Sequence, residues 1–412
     1  MSPESRVGSK SLRALREALG SAAVEVSEPL PILGVTPSVT LRPADGEALA
    51  AAVRTLCEQR MAALVRGSGS RLAVGNLPTR ADAILETTAM DAPVRIEAEE
   101  GVAYAAAGVP VWKLQQCARA EGWELPLDPP GASASVGGAL AQAAIGPRSP
   151  QVRDVVLGLH LVLGDGSRAK CGGRVVKNVT GYDLAKLHVG AHGSLGVIEG
   201  AWLRLQPLPE SRVGMELTLP PGPEAWQRAL AVARRPTVRV AGWVDAALLE
   251  AGLAGQRLIV ELAGDAAAVE DDRKALASLQ GEEVRDTARV DALRALQGSA
   301  GPIRIRITGR ARGLGEARAM LASDNTNVFA YPAKGLIWGI FSDSDPARAV
   351  AVARRAARLA EGHLLLEEAP LRARGAVDAF DVPPPLLSLH RALKARFDPQ
   401  GVLNPGRFGG HL

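Results

Sequence analysis

The stretch from Asp128 to Ile198 decides how the rest of the chain is organised. It reads DPPGASASVGGALAQAAIGPRSPQVRDVVLGLHLVLGDGSRAKCGGRVVKNVTGYDLAKLHVGAHGSLGVI. Glycine has no Cβ, so backbone at a glycine can approach a flat ring or a pyrophosphate closely, or adopt a positive φ. The glycines of this stretch therefore predict a site for a large, buried, planar ligand with a phosphate tail. They are Gly131, Gly137, Gly138, Gly181, Gly193 and Gly196.

Composition indicates a globular protein of more than one domain. A chain of 412 residues exceeds the usual size of one hydrophobic core. Aromatic residues make up only 3%, which predicts a core of Ala, Val and Leu. The net charge of +4 is small, and Arg and Lys are scattered without interleaved aromatic residues, so nucleic-acid binding is not expected.

Three cysteines, Cys57, Cys117 and Cys171, lie far apart in the sequence. Their spacing matches neither a zinc site nor an iron–sulfur cluster, and a reducing cytoplasmic compartment is expected. No secretory signal is recognised at the N-terminus, and no segment reaches the roughly 20 apolar residues of a membrane helix. We therefore expect a cytoplasmic protein, or one held peripherally at the inner face of the cell membrane.

Several short patterns predict local structure. Leu12, Leu15 and Leu19 predict an amphipathic helix, either a partner-binding face or a helix packed on its own domain. An apolar strand ends in the Gly/Ser loop 66–70, whose backbone amides could bind a phosphate. Leu72 stands where a GxGxxG motif has its last glycine, so a simple surface turn is the alternative. Asp165-Gly166 predicts a hairpin.

Four motifs in a fixed order resemble those of one flavoprotein family. They are RGSGSRLAVGN at 66–76, PPGASASVGG at 129–138, KNVTGYDLAKLHVGAHGSLGVI at 177–198 and FDPQGVLNPGR at 397–407. The family includes vanillyl-alcohol-type oxidases, p-cresol-methylhydroxylase-type flavoproteins and D-lactate and glycolate dehydrogenases. The resemblance implies an α+β fold with a two-subdomain FAD-binding domain and a smaller α+β cap domain. The boundaries expected are 1–34 for an N-terminal helix and linker, 35–210 for the FAD-binding domain, 211–380 for the cap and 381–412 for a C-terminal segment that packs back on the FAD domain.

The same resemblance implies which residues bind FAD. The pyrophosphate is assigned to Arg66, Gly67, Ser68, Gly69 and Ser70. The isoalloxazine–ribityl side is assigned to Pro130, Gly131, Ser135, Gly137, Gly138, Gln142 and Ala143. The adenosine side is assigned to Gly193, Gly196, Val197 and Ile198. Some members attach the flavin covalently through a His in the first loop; Ser70 occupies that place here, so FAD is expected to be non-covalent.

Within the family, the chain most resembles the FAD-binding E subunits of bacterial glycolate oxidases. The resemblance implies a complex that oxidises glycolate to glyoxylate, with a homologous catalytic flavoprotein and an iron–sulfur subunit as partners. Two alternatives stay open: a self-sufficient FAD-dependent dehydrogenase of another 2-hydroxy acid or alcohol, and a non-catalytic scaffold. The catalytic residues of this chain are not identified.

Several histidines and other polar residues are further candidates for a functional role. The HxGDGNxH run of metal-binding relatives is absent, and His363 with Glu367 and Glu368 is a weak substitute, so no metal site is predicted. His160 is interpreted as a core histidine, and His188 as a packing residue rather than a neighbour of the flavin. Lys177 and Tyr182 could tune the flavin or be exposed to solvent. Asp398 and Asn404 are explained by turn chemistry.

Overall fold

A computed structural model describes residues 8–26, 31–174, 183–279, 281–284, 288–299, 301–324, 326–342 and 345–412. The chain divides into two units. The first contains Met1–Ala144, Pro150–Pro207 and Phe380–Leu412, and the second contains Ile145–Ser149 and Leu208–Ala379.

The first unit begins with helix α1 (Ser9–Leu19) and a four-stranded sheet. Its strands, in the order β1-β2-β4-β3, are β1 (Val24–Val26), β2 (Val39–Leu41), β4 (Ala83–Glu86) and β3 (Ala63–Arg66). Strands β2, β4 and β3 run parallel. Parallel strands need a crossover connection, which helix α2 (Gly46–Glu58) supplies between β2 and β3.

Helix α2 forms because its sequence has both a cap and an apolar stripe. The side chain of Asp45 accepts a hydrogen bond of 2.8 Å from the amide of Ala48. Leu49, Val53 and Leu56 recur at helical spacing and are fully buried. Leu12 and Leu15 of α1 are buried in the same core. Helix α1 therefore packs on its own unit, which is the second of the two interpretations of its leucines.

A second, five-stranded antiparallel sheet follows in the first unit, in the order β5-β6-β10-β8-β9. Its strands are β5 (Val94–Glu97), β6 (Val102–Ala106), β8 (Val156–Val162), β9 (Arg168–Gly172) and β10 (Val197–Arg204). The predicted hairpin joins β8 to β9, with Gly166 at φ 82° and the amide of Ser167 bonded to Asp165 Oδ1 at 2.8 Å. Further elements are α3 (Val111–Ala120), the strand pair β7 (Trp123–Glu124) and β11 (Gln206–Pro207), α4 (Val136–Ala141), α5 (Val152–Val155) and α6 (Ala185–His188).

The second unit contains an eight-stranded antiparallel sheet in the order β15-β12-β14-β13-β17-β18-β16-β19. Its strands are β12 (Ser211–Leu219), β13 (Val238–Asp245), β14 (Gln256–Gly264), β15 (Gly281–Val284), β16 (Ile303–Thr308), β17 (Asn327–Tyr331), β18 (Leu336–Phe341) and β19 (His363–Glu368). Its helices are α7 (Glu224–Ala233), α8 (Ala266–Ala277), α9 (Ala288–Ser299), α10 (Ala311–Ser323), α11 (Pro346–Leu359) and α12 (Leu371–Arg374). Helix α13 (Pro384–Phe397) then belongs to the first unit again.

Charged side chains are buried in the second unit as internal ion pairs. Glu261 pairs with Arg148 at 2.6 Å and with Arg212 at 2.5 Å. Glu367, 1% exposed, pairs with Arg304 at 3.3 Å and accepts a hydrogen bond from Trp338 Nε1 at 3.1 Å. Since Arg148 lies within Ile145–Ser149, the Glu261 pair fixes that short segment in the second unit. The sequence contains no signal that separates these five residues from the first unit.

Candidate functional site

The three predicted glycine-containing segments meet in the first unit. A Cβ built on Gly67 would lie 2.1 Å from Ser135 Oγ, so the first and second segments are in direct contact. A Cβ on Gly193 would lie 3.0 Å from Asn404 Nδ2 and 3.7 Å from the side chain of Val65 at the start of the first segment. Together they surround a cleft of about 750 Å³, a volume that includes space open to solvent.

Most of the predicted site residues line this cleft. Those that do are Arg66, Gly67, Ser68, Gly69, Ser70, Ser135, Gly137, Gly138, Gln142, Gly193, Val197 and Ile198. The remaining four, Pro130, Gly131, Ala143 and Gly196, are not among the lining residues. Gly131 still lies close to the first loop, since a Cβ there would be 3.6 Å from Ser70 Cβ.

The first loop presents backbone amides to the cleft rather than an unpaired charged side chain. Gly69 has φ 79°, and in the part of the chain that the structure describes no atom accepts a hydrogen bond from the amides of Ser68, Gly69 or Ser70. Successive amides of this kind form a concavity that binds anions. The guanidinium of Arg66, in contrast, donates to Glu86 Oε2 from Nε at 2.8 Å and from Nη2 at 2.5 Å. The charge of Arg66 is therefore already paired.

Glu86 holds this side of the cleft together. It also accepts hydrogen bonds from Arg42 at 3.0 Å and from Thr88 at 2.7 Å. Burial alone would raise the pKa of Glu86, but the hydrogen bonds from Thr88, Arg66 and Arg42 hold that pKa below its ordinary value. Glu86 is thus kept ionised at the end of β4, and it orients Arg66.

The second segment is packed too tightly for a side chain at Gly137. Ser135 caps α4 by accepting a hydrogen bond of 3.3 Å from the amide of Gly138. A Cβ on Gly137 would lie 2.7 Å from Ala107 Cβ at the end of β6. One turn later, Gln142 Oε1 is buried in the cleft wall without a hydrogen-bond partner among the described residues. A buried acceptor with no partner is rare and suggests a ligand.

The third segment turns sharply before β10. His192 and Gly193 both have positive φ, 53° and 67°. The amide of His192 donates to Ala141 O at 2.8 Å and joins this turn to the end of α4. Next to the turn, His188 packs edge-on against Phe397, with ring centroids 5.3 Å apart. Burial lowers the pKa of His188 to about 4, so the ring is neutral near neutral pH and acts as a packing residue.

A fourth segment, near the C-terminus, completes the cleft. Asn404 Oδ1 accepts from the amide of Val65 at 2.8 Å, and Asn404 Nδ2 donates to His192 O at 2.8 Å. The explanation of Asn404 by turn chemistry alone is therefore incomplete, although its φ of 47° does belong to a turn. Arg407, 2% exposed, donates to the carbonyls of Leu72 and Val74, both at 2.9 Å.

Lys394 and Asp398 anchor this fourth segment. Lys394 Nζ donates to Ser194 O at 2.8 Å, to Leu403 O at 2.7 Å and to Asp398 Oδ2 at 2.7 Å. Asp398 in turn accepts from the amides of Val402 and Leu403, both at 2.9 Å. Burial lowers the pKa of Lys394, and the nearby Asp398 carboxylate partly offsets that effect. The sequence signal for this arrangement is the motif FDPQGVLNPGR at 397–407, which contains Asp398 and the NPG turn of Asn404.

Comparison with known proteins gives the fold and the cofactor. Residues 37–172 match the FAD binding domain family. p-Cresol methylhydroxylase superposes with a TM-score of 0.71 over 97% of this chain and 96% of its own, at 16% identity. The 4-ethylphenol oxidase of Gulosibacter chungangensis gives 0.73 over 97% of both chains, at 15% identity. This is the p-cresol-methylhydroxylase-type fold. The predicted α+β fold class and the predicted cofactor, FAD, are confirmed.

Sequence relatives of this flavoprotein are named as oxidases and dehydrogenases. D-lactate dehydrogenase of Archaeoglobus fulgidus is 30% identical over 226 residues, 54% of this chain and 51% of that protein. Glycolate oxidase subunit GlcE of Escherichia coli is 32% identical over 174 residues, 41% of this chain and 49% of that protein. Glycolate oxidase subunit GlcD of Bacillus subtilis is 33% identical over 165 residues, 39% of this chain and 35% of that protein. This chain thus spans about half or less of these relatives, and their names support the predicted class, an FAD-dependent oxidoreductase.

The cleft fits FAD chemically. Three lining residues are arginines, Arg66, Arg71 and Arg407. The charge of Arg66 is paired with Glu86, but none of the lining residues in the described part of the chain is a carboxylate, so Arg71 and Arg407 leave the wall positive. Such a wall favours an anionic ligand, and the pyrophosphate of FAD carries two negative charges. The loop amides of 68–70 and the Gln142 amide supply hydrogen bonds, and the glycines allow close approach.

Other polar residues singled out in the sequence lie elsewhere. Lys177, Gly181 and Tyr182 lie outside the described residues. His160 contacts the Tyr104 hydroxyl at 3.3 Å, and its pKa is lowered first by burial and then by Lys170. His363 is the first residue of strand β19. Because a strand rises about 3.3 Å per residue, Glu367, four positions later, lies about 13 Å away. Within the described ranges, no group of three or more His, Cys, Asp or Glu side chains could hold a metal ion.

No helix in the described part of the chain is long and apolar enough to cross a membrane.

Proposed function

We propose that this chain is the FAD-binding subunit of a glycolate oxidase complex that oxidises glycolate to glyoxylate. The observation that carries the proposal is the cleft at the meeting point of the loop 66–70, helix α4 and the turn at Gly193. Its amides, its glycines and its arginines suit FAD, and a glycolate oxidase subunit is among the relatives. Bound FAD would supply a two-electron acceptor for the hydride on the α-carbon of a 2-hydroxy acid.

The residues proposed to hold FAD are those assigned from the motifs, now joined by Asn404 and Arg407. The amides of Ser68, Gly69 and Ser70 would bind the pyrophosphate, and Gln142 would offer its unpartnered oxygen to a donor of the cofactor. Asn404 would act on the cofactor through other residues, because it holds Val65 and His192 in place. Pro130, Gly131, Ala143 and Gly196 would contribute the shape of the surrounding backbone.

The proposed partners are a homologous catalytic flavoprotein and an iron–sulfur subunit. Two relatives are named as subunits of glycolate oxidase, which supports a multi-subunit complex. The sequence has no cysteine motif for an iron–sulfur cluster, so electrons would have to leave through another chain. The complex is proposed to lie in the cytoplasm or peripherally at the inner face of the cell membrane, and the three separate, free cysteines support a reducing compartment.

A self-sufficient FAD-dependent dehydrogenase is the second candidate. Relatives named D-lactate dehydrogenase and D-2-hydroxyglutarate dehydrogenase favour this function. The D-lactate dehydrogenase matches 54% of this chain, a larger share than either glycolate oxidase subunit matches. In this case the chain would bind and oxidise a 2-hydroxy acid by itself.

Two measurements on the purified full chain test the proposal and separate the candidates. Flavin should stay in the supernatant after trichloroacetic acid precipitation, as expected for non-covalent FAD with Ser70 in the first loop. The chain should then reduce an artificial dye slowly or not at all with glycolate, D-lactate or D-2-hydroxyglutarate. The same assay on the chain co-purified with the products of its neighbouring genes should show glycolate oxidation. Rapid turnover by the isolated chain would support the second candidate instead.

A further inference from the structure

The residues Ile145–Ser149 belong to the second unit, although the chain before and after them belongs to the first. We call them the anchored segment. Peptide bonds join this segment to Ala144 on one side and to Pro150 on the other. Ala144 lines the cleft, and so does Gln142, two residues before it. Side chains that hold the anchored segment in the second unit therefore also hold one end of the cleft wall.

Side chains of the second unit bind three consecutive carbonyl groups of the anchored segment. Gln297 Nε2 donates to Ile145 O at 2.7 Å, and Gln297 is buried. Lys334 Nζ donates to Gly146 O at 3.0 Å and to Pro147 O at 2.5 Å. Hydrogen bonds from a charged donor are stronger than those between neutral groups. The backbone of the segment is thus fixed in place, whatever its side chains do.

Arg148 adds an ion pair to these hydrogen bonds. Its guanidinium donates to Glu261 Oε2 from Nε at 2.9 Å and from Nη2 at 2.6 Å. Arg212, which lies outside the segment, pairs with Glu261 Oε1 at 2.5 Å. The side chains of Arg148 and Arg212 are 20% and 25% exposed, and that of Glu261 is 3% exposed. One buried carboxylate is therefore shared by two similar arginines, of which only Arg148 belongs to the anchored segment.

The chain turns sharply between helix α4 and the anchored segment. Ala143 has φ 44°, in a region that residues with a side chain rarely adopt. Such a conformation persists only where the surrounding contacts hold it. On the side of α4, the amide of Ala144 donates to Ala139 O at 2.9 Å. The turn is thus held by α4 at one end and by the anchored segment at the other.

We propose that Arg148 and Lys334 are positioning residues for FAD, which act through the anchored segment on Gln142 and Ala144. A site that is organised before its ligand arrives binds more tightly, because no ordering of the protein then opposes binding. FAD affinity in the cleft of the first unit thus depends on side chains of the second unit. The inference rests on the proposed function only in that Gln142 is proposed to contact FAD.

Two matched variants of the full chain separate positioning from stability. Arg148→Met and Arg212→Met each remove one arginine from Glu261 and leave the other paired with it. Both should lower the unfolding temperature by similar amounts, because the two arginines are similarly buried. Only Arg148→Met should raise the dissociation constant of FAD, by about tenfold in calorimetric titrations of the apoprotein. Equal FAD affinities in the two variants would overturn the proposal.

Lys334 gives an independent test of the same idea. Lys334→Met keeps the aliphatic stem and removes the donor to Gly146 and Pro147, so it should also weaken FAD binding about tenfold. Lys334→Arg retains charged donors, and its dissociation constant should stay close to that of the unaltered chain. An affinity of Lys334→Met equal to that of the unaltered chain would overturn the assignment of Lys334.

Hydrogen exchange followed by mass spectrometry shows whether the effect reaches the cleft wall. In the apoprotein, exchange in α4 and the residues up to Ala144 should be faster in Arg148→Met and Lys334→Met than in Arg212→Met. Unchanged exchange there would overturn the proposed route through the anchored segment. Neither measurement uses glycolate, so the test does not depend on the proposed substrate, whereas failure of the unaltered chain to bind FAD would overturn both proposals.

Discussion

The glycine-lined cleft of the first unit and the sheet of the second unit use polar groups in opposite ways. In the cleft, the loop amides and the Gln142 oxygen have no partner among the residues that the structure describes, and glycines keep side chains out. In the second unit, Glu261 and Glu367 are buried with arginines of the same unit. Unsatisfied buried groups are costly unless a ligand satisfies them. The difference indicates that the cleft is built to be completed by a ligand, whereas the charges of Glu261 and Glu367 are paired within the second unit.

The hydrophobic cores of the two units also differ, in their content of aromatic side chains. The core cluster around α2 in the first unit contains aliphatic side chains, as the composition predicts. In the second unit, Phe329 stacks on Trp338 at 4.6 Å, and Tyr331 packs against Trp338 at 5.2 Å. This aromatic cluster is joined to the ion pair of Glu367, because Trp338 both stacks on Phe329 and donates to that carboxylate.

Removal of the charge of Glu367 should have the largest effect and should be confined to the second unit. In Glu367→Gln, Arg304 loses its buried anion, and the unfolding free energy of that unit should fall by about 3–5 kcal/mol. Hydrogen exchange followed by mass spectrometry would locate the loss in β16 and β19. Glu361→Gln is the matched control, because Glu361 also pairs with two arginines but is half exposed. Loss of FAD from the Glu367 variant would contradict an effect confined to the second unit.

Acid should destabilise the first unit through His188. The pKa of this ring is lowered to about 4 in the folded chain, so the unfolded chain binds more protons between about pH 6.5 and pH 4. Stability is therefore fully present above about pH 6.5, and roughly 3 kcal/mol is lost as the pH falls to about 4. Unfolding titrations at several pH values would measure this slope. His188→Leu should flatten it, and His363→Gln, at an exposed position, should leave it intact; an unchanged slope in His188→Leu would assign acid sensitivity to other groups.

A side chain at Gly137 should weaken FAD binding. In Gly137→Val the new atoms would meet Ala107, and α4 would have to move away from β6 at a cost of about 1–3 kcal/mol. Calorimetric titration of the apoprotein with FAD should show a dissociation constant raised roughly tenfold to a hundredfold. Gly173→Ala provides the comparison, since a Cβ there would meet nothing within 4 Å. Equal affinities in the two variants would remove Gly137 from the cofactor site.

The smallest effect is expected at Asn404. Asn404→Ala removes hydrogen bonds to Val65 and His192, and the loss of about 1–2 kcal/mol should weaken FAD binding about tenfold. Asn327→Ala, at an exposed strand end of the second unit, should bind FAD normally. If Asn404→Ala retained full affinity while it lowered thermal stability, the residue would be structural only.

Much of the first unit is predictable from local sequence patterns. The Asp45 cap, the stripe Leu49, Val53 and Leu56, and the Asp165-Gly166 turn each involve residues a few positions apart. The three segments of the cleft were recognised because glycine and serine cluster in short motifs. Local spacing is sufficient where the physical cause is also local.

Long-range contacts account for what the sequence did not predict. The pairing of Arg66 with Glu86 across β3 and β4 depends on strand register, whereas the motif alone assigns Arg66 to the pyrophosphate. Asn404 contacts Val65 from 339 positions away, so no window of sequence contains both partners. Residues Ile145–Ser149 likewise belong to the second unit because Arg148 pairs with Glu261, which lies 113 positions later in the sequence.

Asn404 also bears on when the cofactor site is completed. The residues of β3 and β4 are synthesised long before residue 404, so Val65 receives its side-chain acceptor only late in synthesis. The nascent chain must therefore carry an unfinished pocket through most of translation. We expect flavin to be captured after synthesis of this segment, and cells short of the vitamin should accumulate folded but colourless protein.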